Sequence, residues 1–444
     1  MDEKTIKHLI EIAKKNLERN WTGKYTKPSP QLYPHQWNWD SGFISIGYSH
    51  FNLNKARQEI LSLFEAQWAN GMLPHIVFNP NVSGYFPGAD FWNSKLSPQA
   101  PKNIYTSGLT MPAVHSTVCL IIYKNQKNNP DKDFLKFMFE KLKKLHSFFY
   151  DYRDPNKEGL VYIRHPWESG MDNSPSWDHP LERINLTKVK IPSYKRVDNT
   201  IVSPENRPTK EDYDRYVYLV AQSKKHNYDE KLIFSESVFL IQDPLFNSIL
   251  CKANEDLIEI ASILKEDSSQ IKEWYEQTKR SINDKLWNEE ERYYTCFDLY
   301  ANKQIKPGSV SGLLPIYGGI PDLKRAQLII DKLNSPSFSN NGGETYLVPT
   351  YDMQSKEFNP VKYWRGPVWI NINWFLYNGL RRYNFHSQAE RVLQDTFDLI
   401  SRYGFYEYFN PKRNLNDFSS GAYGGNHFSW SSALFIDLFS KYLN

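Results

Sequence analysis

Apolar residues recur every three or four positions over long stretches of the chain, which is the spacing of amphipathic α-helices. In residues 131–150, Leu135, Met138 and Leu142 share one helical face. The same spacing predicts helices at residues 1–17, 43–69, 107–125, 236–264, 267–287, 323–333, 367–382, 387–400 and 433–442. No comparable series of strands with alternating polarity is visible in the sequence, so we predict a mainly α-helical protein.

Two of these helices have a start signal in the sequence. Pro321 and Asp322 precede the helix predicted from residue 323, and both residue types favour a helix start. Ser387 and Glu390 have the spacing of a capping box, which predicts that Ser387 caps the helix that follows it.

Long segments rich in proline, glycine, asparagine and aromatic residues separate the helices. They cover residues 21–41, 73–106, 164–235, 336–366 and 403–427. Structureless segments of this length are usually functional rather than simple connectors. Long helices that alternate with such loops favour an (α/α) toroid, a barrel whose loops meet at one end. We therefore expect residues 1–444 to form a single catalytic domain, with residues 173–235 as an inserted cap or lid.

The charge balance argues against nucleic acid as a partner. The 444 residues include 54 Lys and Arg against 50 Asp and Glu, so the net charge is only +4. No long basic run is present, as a nucleic-acid-binding surface would require. No apolar stretch approaches the roughly 18 residues of a membrane span, so we expect no membrane partner either.

The N-terminus and the cysteines indicate the compartment. The chain begins with MDEKTIKHLIEIAKKN, whose early acids and amphipathic spacing predict a first helix and not a signal peptide. Cys119, Cys251 and Cys296 are widely separated and lack the spacing of metal ligands. We therefore expect free, buried cysteines in the reducing cytoplasm, and no metal site.

Aromatic content is the most informative part of the composition. The chain contains 29 Tyr, 26 Phe and 13 Trp, which together make up 15% of its residues. Aromatic faces suit the C–H faces of sugars, and the Trp N–H and Tyr O–H groups suit sugar hydroxyls. A large aromatic core would explain the composition equally well, so the position of these residues has to decide.

Four regions of the predicted loops combine aromatic residues with carboxylates, as a pyranose site would. They are Tyr-Pro-His-Gln-Trp-Asn-Trp-Asp-Ser-Gly (33–42); Gly-Met-Leu-Pro-His (71–75) with Tyr-Phe-Pro-Gly-Ala-Asp-Phe-Trp (85–92); His-Pro-Trp-Glu-Ser-Gly-Met-Asp-Asn-Ser-Pro (165–175); and Tyr-Trp-Arg-Gly-Pro-Val-Trp (363–369) with Gly-Phe-Tyr-Glu-Tyr-Phe-Asn-Pro (404–411). Any one of them would also fit aromatic loop packing, but four together favour a sugar site.

Hydrolysis of a glycoside requires two carboxyl groups across the scissile bond, one protonated and one ionised. Asp172 lies beside Trp167 and Met171, and such an apolar setting raises a carboxyl pKa, which makes Asp172 a candidate general acid. Glu407 lies between two tyrosines in the last long loop and is a candidate general base. Spacing alone leaves five rivals open: Asp40, Glu168, Asp178, Glu344 and Asp417.

The ordered motifs Trp-Asn-Trp-Asp-Ser-Gly, Trp-Glu-Ser-Gly-Met-Asp-Asn-Ser-Pro, Tyr-Trp-Arg-Gly-Pro-Val-Trp and Phe-Tyr-Glu-Tyr-Phe-Asn-Pro resemble those of glycoside hydrolase family 63. The chain is most similar to the compact bacterial and plant branch of mannosylglycerate and glucosylglycerate hydrolases. The resemblance extends from Tyr33 to the closing Phe428-Ser-Trp430 segment.

This resemblance implies an (α/α)6 barrel with an inserted cap, and an inverting hydrolase without a cofactor. The general acid of the family falls on Asp172 and its general base on Glu407. The resemblance also implies a list of substrate-binding positions: Tyr33, Trp37, Trp39, Asp40, His75, Tyr85, Trp167, Gly170, Arg207, Tyr213, Tyr363, Trp364 and Trp369.

A second motif concerns the leaving group. The segment Asn-Arg-Pro-Thr-Lys-Glu-Asp-Tyr-Asp-Arg-Tyr (206–216) resembles the one by which glycosylglycerate hydrolases hold the glycerate carboxylate. Arg207 offers a planar fork suited to a carboxylate, and Tyr213, Tyr33 and Tyr85 would add hydroxyl donors. Met111 departs from the resemblance, because a polar residue is expected there near the sugar.

Three functions remain open at this point. The first is hydrolysis of glucosylglycerate or mannosylglycerate, and the second is an α-glucosidase acting on neutral glucosyl di- or oligosaccharides with the same carboxylates. The third is a non-catalytic sugar-binding protein or a polysaccharide lyase on a similar toroid. In each case the expected partner is a small glycoside, and a homo-oligomer is compatible with the sequence. Glucose and mannose differ only at C2, and the sequence does not separate them.

Overall fold

The structure, a computed structural model, describes residues 1–126, 130–339, 343–415 and 420–443. Its helices are α1 (Glu3–Asn20), α2 (Asn38–Ser49), α3 (Leu53–Phe64), α4 (Ala89–Trp92), α5 (His115–Lys124), α6 (Lys132–Tyr152), α7 (Asp178–Glu182), α8 (Lys210–Lys225), α9 (Glu230–Glu236), α10 (Pro244–Leu264), α11 (Ser269–Ser281), α12 (Leu323–Asn334), α13 (Ile370–Arg382), α14 (His386–Tyr403) and α15 (Ser429–Leu443). Its strands are β1 (Gln36–Trp37), β2 (Ile76–Val77), β3 (Ile241–Gln242), β4 (Trp287–Asn288), β5 (Tyr293–Tyr294), β6 (Phe297–Asp298), β7 (Lys303–Gln304), β8 (Tyr406–Phe409) and β9 (Ala422–Asn426).

Six helical segments form a closed inner ring. In order around the ring they are α2, α5, α10, the 3₁₀ segment Val310–Ile316, α13 and α15, and α15 packs back against α2. An outer helix covers each inner segment: α3, α6, α11, α12, α14 and α1, in the same order. This double ring is an (α/α)6 barrel, so the all-α prediction is confirmed.

The two rings differ in the way their residues are buried. All of α2 is buried, because helices surround it on every side. The outer helix α6 buries one stripe, which includes Leu135, Met138 and Leu142, and exposes the opposite face. The stripe is the amphipathic pattern that the sequence displays, and it orients the outer helices toward the ring.

Several predicted helices have different boundaries in the structure. The helix predicted at 43–69 is two helices, because Asn52 caps α3 by accepting from the Lys55 N–H at 3.1 Å. The helix predicted at 236–264 begins only at Pro244, since residues before it form strand β3. The capping box at Ser387 is not formed, because α14 already begins one residue earlier, at His386.

Three more boundaries are later or earlier than predicted. The helix predicted at 107–125 begins at His115, after a segment that contains Pro112. The helix predicted at 367–382 begins at Ile370. The helix predicted at 267–287 ends at Ser281 and continues as a π-helical turn, after which Trp287 starts strand β4.

Short antiparallel strand pairs occur among the loops, where the sequence pattern predicts no strands. Strand β1 pairs with β2, and β8 pairs with β9 as a hairpin near the C-terminus. Strand β1 runs directly into α2, and β9 precedes α15. Both pairs therefore lie where the chain enters inner helices, and they fix the loops at that end of the barrel.

The segment 173–235 contains α7, α8 and α9 together with short 3₁₀ turns at Pro175–Trp177, Asp198–Thr200 and Pro204–Asn206. A capping box starts α8, since Thr209 and Asp212 each accept from the other's backbone N–H. No helix within the described part of the chain is long and apolar enough to cross a membrane.

Candidate active site

A cavity of about 320 Å³ opens at the end of the barrel where α2 and α15 begin. Most of the site residues predicted from the sequence line it: Tyr33, Trp37, Trp39, Asp40, His75, Tyr85, Trp167, Gly170, Asp172, Arg207, Tyr213, Tyr363, Trp364 and Glu407. All five long loop segments therefore bring these residues together, although the residues are spread over 375 positions of sequence. Met111, the residue that departs from the resemblance, also lines the cavity.

Trp369 is the one predicted site residue that does not line the cavity. Its ring stacks behind Trp364, with 3.6 Å between the ring centroids and 7° between the planes. Its Nε1–H donates to the Tyr363 carbonyl at 3.1 Å. Trp369 is therefore a support for the two residues that do line the cavity.

Glu407 lies on strand β8 and is buried, with three groups donating to its carboxylate. Oε1 accepts from the Tyr33 hydroxyl at 2.8 Å and from the Tyr363 hydroxyl at 3.4 Å. Oε2 accepts from the Gly425 N–H at 3.0 Å. Burial raises the pKa of Glu407 above its ordinary value, while Arg207 and these donors act in the opposite direction. The donors favour the ionised form that a general base requires.

A β-bulge forms the cradle of this carboxylate. Tyr406 pairs with Asn426 and Tyr408 with Tyr423, so Glu407 alone faces two residues of β9, Gly424 and Gly425. Gly424 has a φ of +74°, and a Cβ built on it would lie 2.2 Å from Oε2 of Glu407. Glycine is therefore required here for both its backbone angle and its lack of a side chain.

Asp172 faces the same cavity in a different electrostatic setting. Burial raises the pKa of Asp172 to about 7; Arg207 lowers it and the Glu407 carboxylate raises it further. The two carboxyl groups therefore differ in the way that acid–base catalysis needs, with Asp172 retaining its proton near neutral pH.

Three contacts hold the backbone around Asp172. The Tyr216 hydroxyl donates to the Asp172 carbonyl at 2.9 Å. The Trp177 Nε1–H donates to the Met171 carbonyl at 2.7 Å, and the Trp364 N–H donates to Oδ1 of Asn173 at 2.9 Å. The backbone at Asp172 is thus fixed from the segment 173–235 and from the loop before α13.

The rival carboxylates have other partners. Arg153 binds Glu168 with two hydrogen bonds of 2.8 Å, and although burial opposes it, Arg153 and then Arg164 hold the pKa of Glu168 down to about 2. Asp178 forms a two-pronged ion pair with Arg365, at 2.8 and 2.6 Å.

The remaining rivals are Glu344, Asp417 and Asp40. Glu344 is exposed and does not line the cavity. Asp417 lies outside the described residues. Asp40, in the first turn of α2, does line it, and burial followed by the charge of Glu407 raises its pKa well above the ordinary value.

Arg207 is buried and lines the cavity. Its Nε donates to Oδ2 of Asp198 at 3.2 Å and its Nη2 to the Tyr33 hydroxyl at 3.3 Å. The guanidinium lies 4.1 Å above the Tyr363 ring. Its Nη1 has no hydrogen-bond partner among the residues that the structure describes. A buried guanidinium with an unused N–H edge is suited to an anionic ligand.

Aromatic rings form the walls around the carboxyl groups. Trp39, Trp167 and Trp364 line the cavity, and Gly170 leaves room for Trp39, since a Cβ there would lie 2.3 Å from its ring. His75 stacks on Trp167 with 6.3 Å between centroids. Burial lowers the pKa of His75 to about 3, so this imidazole is neutral.

Sequence reasoning missed several residues of the site. Asp198, Phe428 and Trp430 line the cavity, and Tyr216 supports Asp172 without lining it. Tyr216 is part of the 206–216 motif, and its spacing of three from Tyr213 places both on one face of α8. The spacing between Tyr213 and Tyr216 could therefore have indicated from the sequence that Tyr216 belongs to the site. Nothing in the sequence around Asp198, which lies in a short 3₁₀ turn, indicates that this residue lines the cavity.

The described residues contain no group of three or more His, Cys, Asp or Glu side chains arranged to hold a metal ion. Cys119, Cys251 and Cys296 are buried and free. Within the described chain, the residues that line the cavity offer carboxyl groups, tyrosine hydroxyls, one imidazole and one guanidinium.

Comparison with known proteins identifies the family. The family model described as "Mannosylglycerate hydrolase MGH1-like glycoside hydrolase domain" matches residues 33–431. The chain belongs to this family. Its resemblance to the family 63 hydrolases, inferred from the motifs, is thereby confirmed, and the protein is a glycoside hydrolase.

Individual relatives share nearly the whole chain. The mannosylglycerate hydrolase of Rubrobacter radiotolerans is 46% identical, over 98% of this chain and 97% of its own length. The glucosylglycerate hydrolase of Mycolicibacterium hassiacum is 33% identical, over 95% of each chain. The crystal structure of the family 63 mannosylglycerate hydrolase of Thermus thermophilus with Tris and D-glycerate is 40% identical, with a TM-score of 0.89 over 97% of this chain and 99% of that one.

Gly424→Ala tests the cradle of Glu407 in this hydrolase. The methyl group would displace the carboxylate, and misplacement of a reacting group by about 1 Å costs roughly 100-fold in rate, so we expect kcat to fall by about that factor. The backbone strain should also lower the free energy of unfolding by about 1 kcal/mol. Steady-state kinetics and urea unfolding measure the two effects.

Gly23→Ala is the matched control for this substitution. Gly23 has a φ of +98°, so it suffers the same kind of backbone strain, but no atom lies within 4 Å of its added Cβ. We expect a similar loss of stability with unchanged kcat. Wild-type kcat in Gly424→Ala would contradict the cradle.

Proposed function

We propose that this hydrolase cleaves mannosylglycerate, glucosylglycerate or both to hexose and glycerate, with inversion at the anomeric carbon. The observation that carries the proposal is the position of Arg207, a buried guanidinium with an unused Nη1 group in the same cavity as Asp172 and Glu407. A glycerate leaving group would bring its carboxylate to that guanidinium. The names and the bound D-glycerate of the relatives support the same substrate class.

In this proposal Asp172 is the general acid. It is protonated near neutral pH because burial raises its pKa to about 7. It gives its proton to the glycosidic oxygen as the bond to the anomeric carbon breaks, so that glycerate leaves with a neutral hydroxyl.

Glu407 is the general base of the proposal. Its carboxylate accepts a proton from a water molecule, whose oxygen attacks the anomeric carbon from the face opposite the leaving group. The Tyr33 and Tyr363 hydroxyls and the Gly425 N–H fix the direction of its lone pairs. The tryptophan walls and the neutral His75 would hold the sugar ring between the two carboxyl groups.

In this proposal the aglycone lies in the part of the cavity that carries Arg207. Arg207, Tyr213, Tyr33 and Tyr85 line it and offer one cation and three hydroxyls. We propose that the segment 173–235, which supplies Arg207 and Tyr213, is an inserted cap over a single catalytic domain. A neutral α-glucosidase would leave this guanidinium without a ligand, which disfavours that alternative.

We also propose a cytoplasmic location. The three cysteines are free and buried, as is usual for proteins of a reducing compartment. Expression with and without export to an oxidising compartment, followed by assay of the free thiols, would test it.

The pH dependence of kcat/KM tests the protonation states. Asp172 must be protonated and its pKa is raised to about 7, so kcat/KM should fall as the pH rises above about 7. Glu407 must be ionised and its pKa is raised, so the acidic limb should lie above the ordinary range of a glutamate. With α-mannosyl fluoride, whose leaving group needs little protonation, the alkaline limb should weaken. An alkaline limb unchanged with the fluoride would contradict Asp172 as the acid.

Substitution of the two carboxyl groups separates their roles. Asp172→Asn and Glu407→Gln should each lower kcat on a glycosylglycerate by orders of magnitude without unfolding the protein, because both groups act in the transition state. α-Mannosyl fluoride should partly rescue Asp172→Asn and not Glu407→Gln. Proton NMR of the wild-type reaction should show the β anomer first, and an initial α product would exclude Glu407 as the base.

Arg207→Ala tests the substrate. Loss of a charge-assisted contact typically costs about 1.5–3 kcal/mol, or about 10- to 150-fold in kcat/KM. The loss should be larger on a glycosylglycerate than on the corresponding glycosylglycerol, which lacks the carboxylate. The measurement is kcat/KM of both enzymes on both substrates. Parallel losses would refute the carboxylate contact and favour the neutral α-glucosidase.

A further inference from the structure

Helix α8 contacts both the aglycone end of the cavity and the loop that carries Asp172. Arg207 precedes the helix by three residues, and Tyr213 lines the cavity from its first turns. Tyr216 follows Tyr213 by three positions and therefore lies on the same face. It is buried, and its ring lies 5.7 Å from the Trp167 ring at an angle of 66°.

Tyr216 holds this loop at both of its ends. Its hydroxyl donates to the Asp172 carbonyl at 2.9 Å. Its own carbonyl accepts from Nε2 of His165 at 3.1 Å. Nδ1 of His165 accepts from the Trp167 N–H at 3.0 Å, and burial lowers the pKa of His165 to about 3, so the imidazole is neutral with its proton on Nε2. One residue of α8 thus contacts both the start and the end of the segment 165–172.

We propose that Tyr216 is a positioning residue that sets the general acid against the bound aglycone. This inference rests on the proposed function. Arg207 and Tyr213 would fix the aglycone, and the Tyr216 hydroxyl would fix the backbone of the proton donor. These three side chains lie within ten consecutive residues, 207–216. The distance between the Asp172 carboxyl and the glycosidic oxygen would then depend on the geometry of α8. Proton transfer requires these atoms within hydrogen-bond reach, so a small displacement costs rate.

Tyr216→Phe removes the hydroxyl and leaves the ring against Trp167 and His165. Other contacts still hold the loop, since Trp177 binds the Met171 carbonyl, so the variant should fold. We expect kcat on mannosylglycerate to fall about 10-fold with KM changed less than about 2-fold. On α-mannosyl fluoride, which needs little help from the acid, the loss in kcat should be about 2-fold or less.

Tyr48→Phe is the matched control. Tyr48 is also fully buried, and its hydroxyl donates to a backbone carbonyl, that of Leu17, at 3.0 Å. The control should lower the urea midpoint by an amount similar to Tyr216→Phe and leave kcat unchanged on both substrates. An equal fall in kcat in the control and in Tyr216→Phe would overturn the inference.

A double-variant cycle tests the connection to the aglycone. If the geometry of α8 links the two groups, the fall in kcat caused by Arg207→Ala should be smaller in the Tyr216→Phe background than in the wild type. Equal losses of kcat on mannosylglycerate and on the fluoride in Tyr216→Phe, or strict additivity in the cycle, would reject the positioning role. A wild-type enzyme that hydrolyses the fluoride but neither glycosylglycerate would instead reject the proposed substrate, and with it the aglycone part of the inference.

Discussion

The site is governed by an imbalance of charge inside a buried cavity. Asp40, Asp172, Asp198 and Glu407 all line it, whereas Arg207 is the one permanently charged cation among its lining residues in the described chain. Arg196 also pairs with Asp198, which leaves Arg207 as the one guanidinium that faces the other three carboxyl groups, and these cannot all ionise away from water. Burial raises the pKa values of Asp40, Asp172 and Glu407, and the charge of Glu407 raises those of Asp40 and Asp172 further, so the site retains protons that exposed carboxyl groups would lose.

Hydrogen-bond donors decide which carboxyl group keeps its proton. Glu407 receives two tyrosine hydroxyls and one backbone N–H, which favour its charged form. Although burial opposes it, the hydrogen bonds and charges of Arg196 and Arg207 hold the pKa of Asp198 below its ordinary value. Asp172 lies against aromatic walls and retains its proton to about pH 7. The barrel makes this division possible, because the three donors to Glu407 lie on segments that precede three different inner helices, α2, α13 and α15.

The sequence determines much of this arrangement, and the remainder depends on partners distant in the chain. The helical pattern predicted the barrel, since the apolar stripe on each outer helix has to pack against an inner ring of helices. Nearly all of the site residues that the motifs predicted line the cavity, together with others that the motifs did not indicate. Glu168 and Asp172, by contrast, are four residues apart in one motif with opposite protonation, and only the positions of Arg153 and Arg164 account for it. Trp369 shows the same limit. Its aromatic motif does not distinguish a ring that lines the cavity, such as Trp364, from a ring that packs behind it, such as Trp369.

In the proposed function, binding of a carboxylate substrate would raise the pKa of both Asp172 and Glu407 and so help to keep Asp172 protonated. In the free enzyme burial raises the pKa of both Asp172 and Glu407, and Arg207 acts against that rise. A glycerate carboxylate at Arg207 adds a negative charge and offsets that cation, so the pKa of each group rises further. For Asp172 the rise keeps the proton in place until the glycosidic oxygen takes it. Glu407 retains the hydrogen bonds of Tyr363 and Gly425, which do not involve Arg207, and these continue to favour its ionised form. The charge of the leaving group would thereby help to keep Asp172 protonated, as its proposed role as general acid requires, and a neutral glycoside would not have this effect.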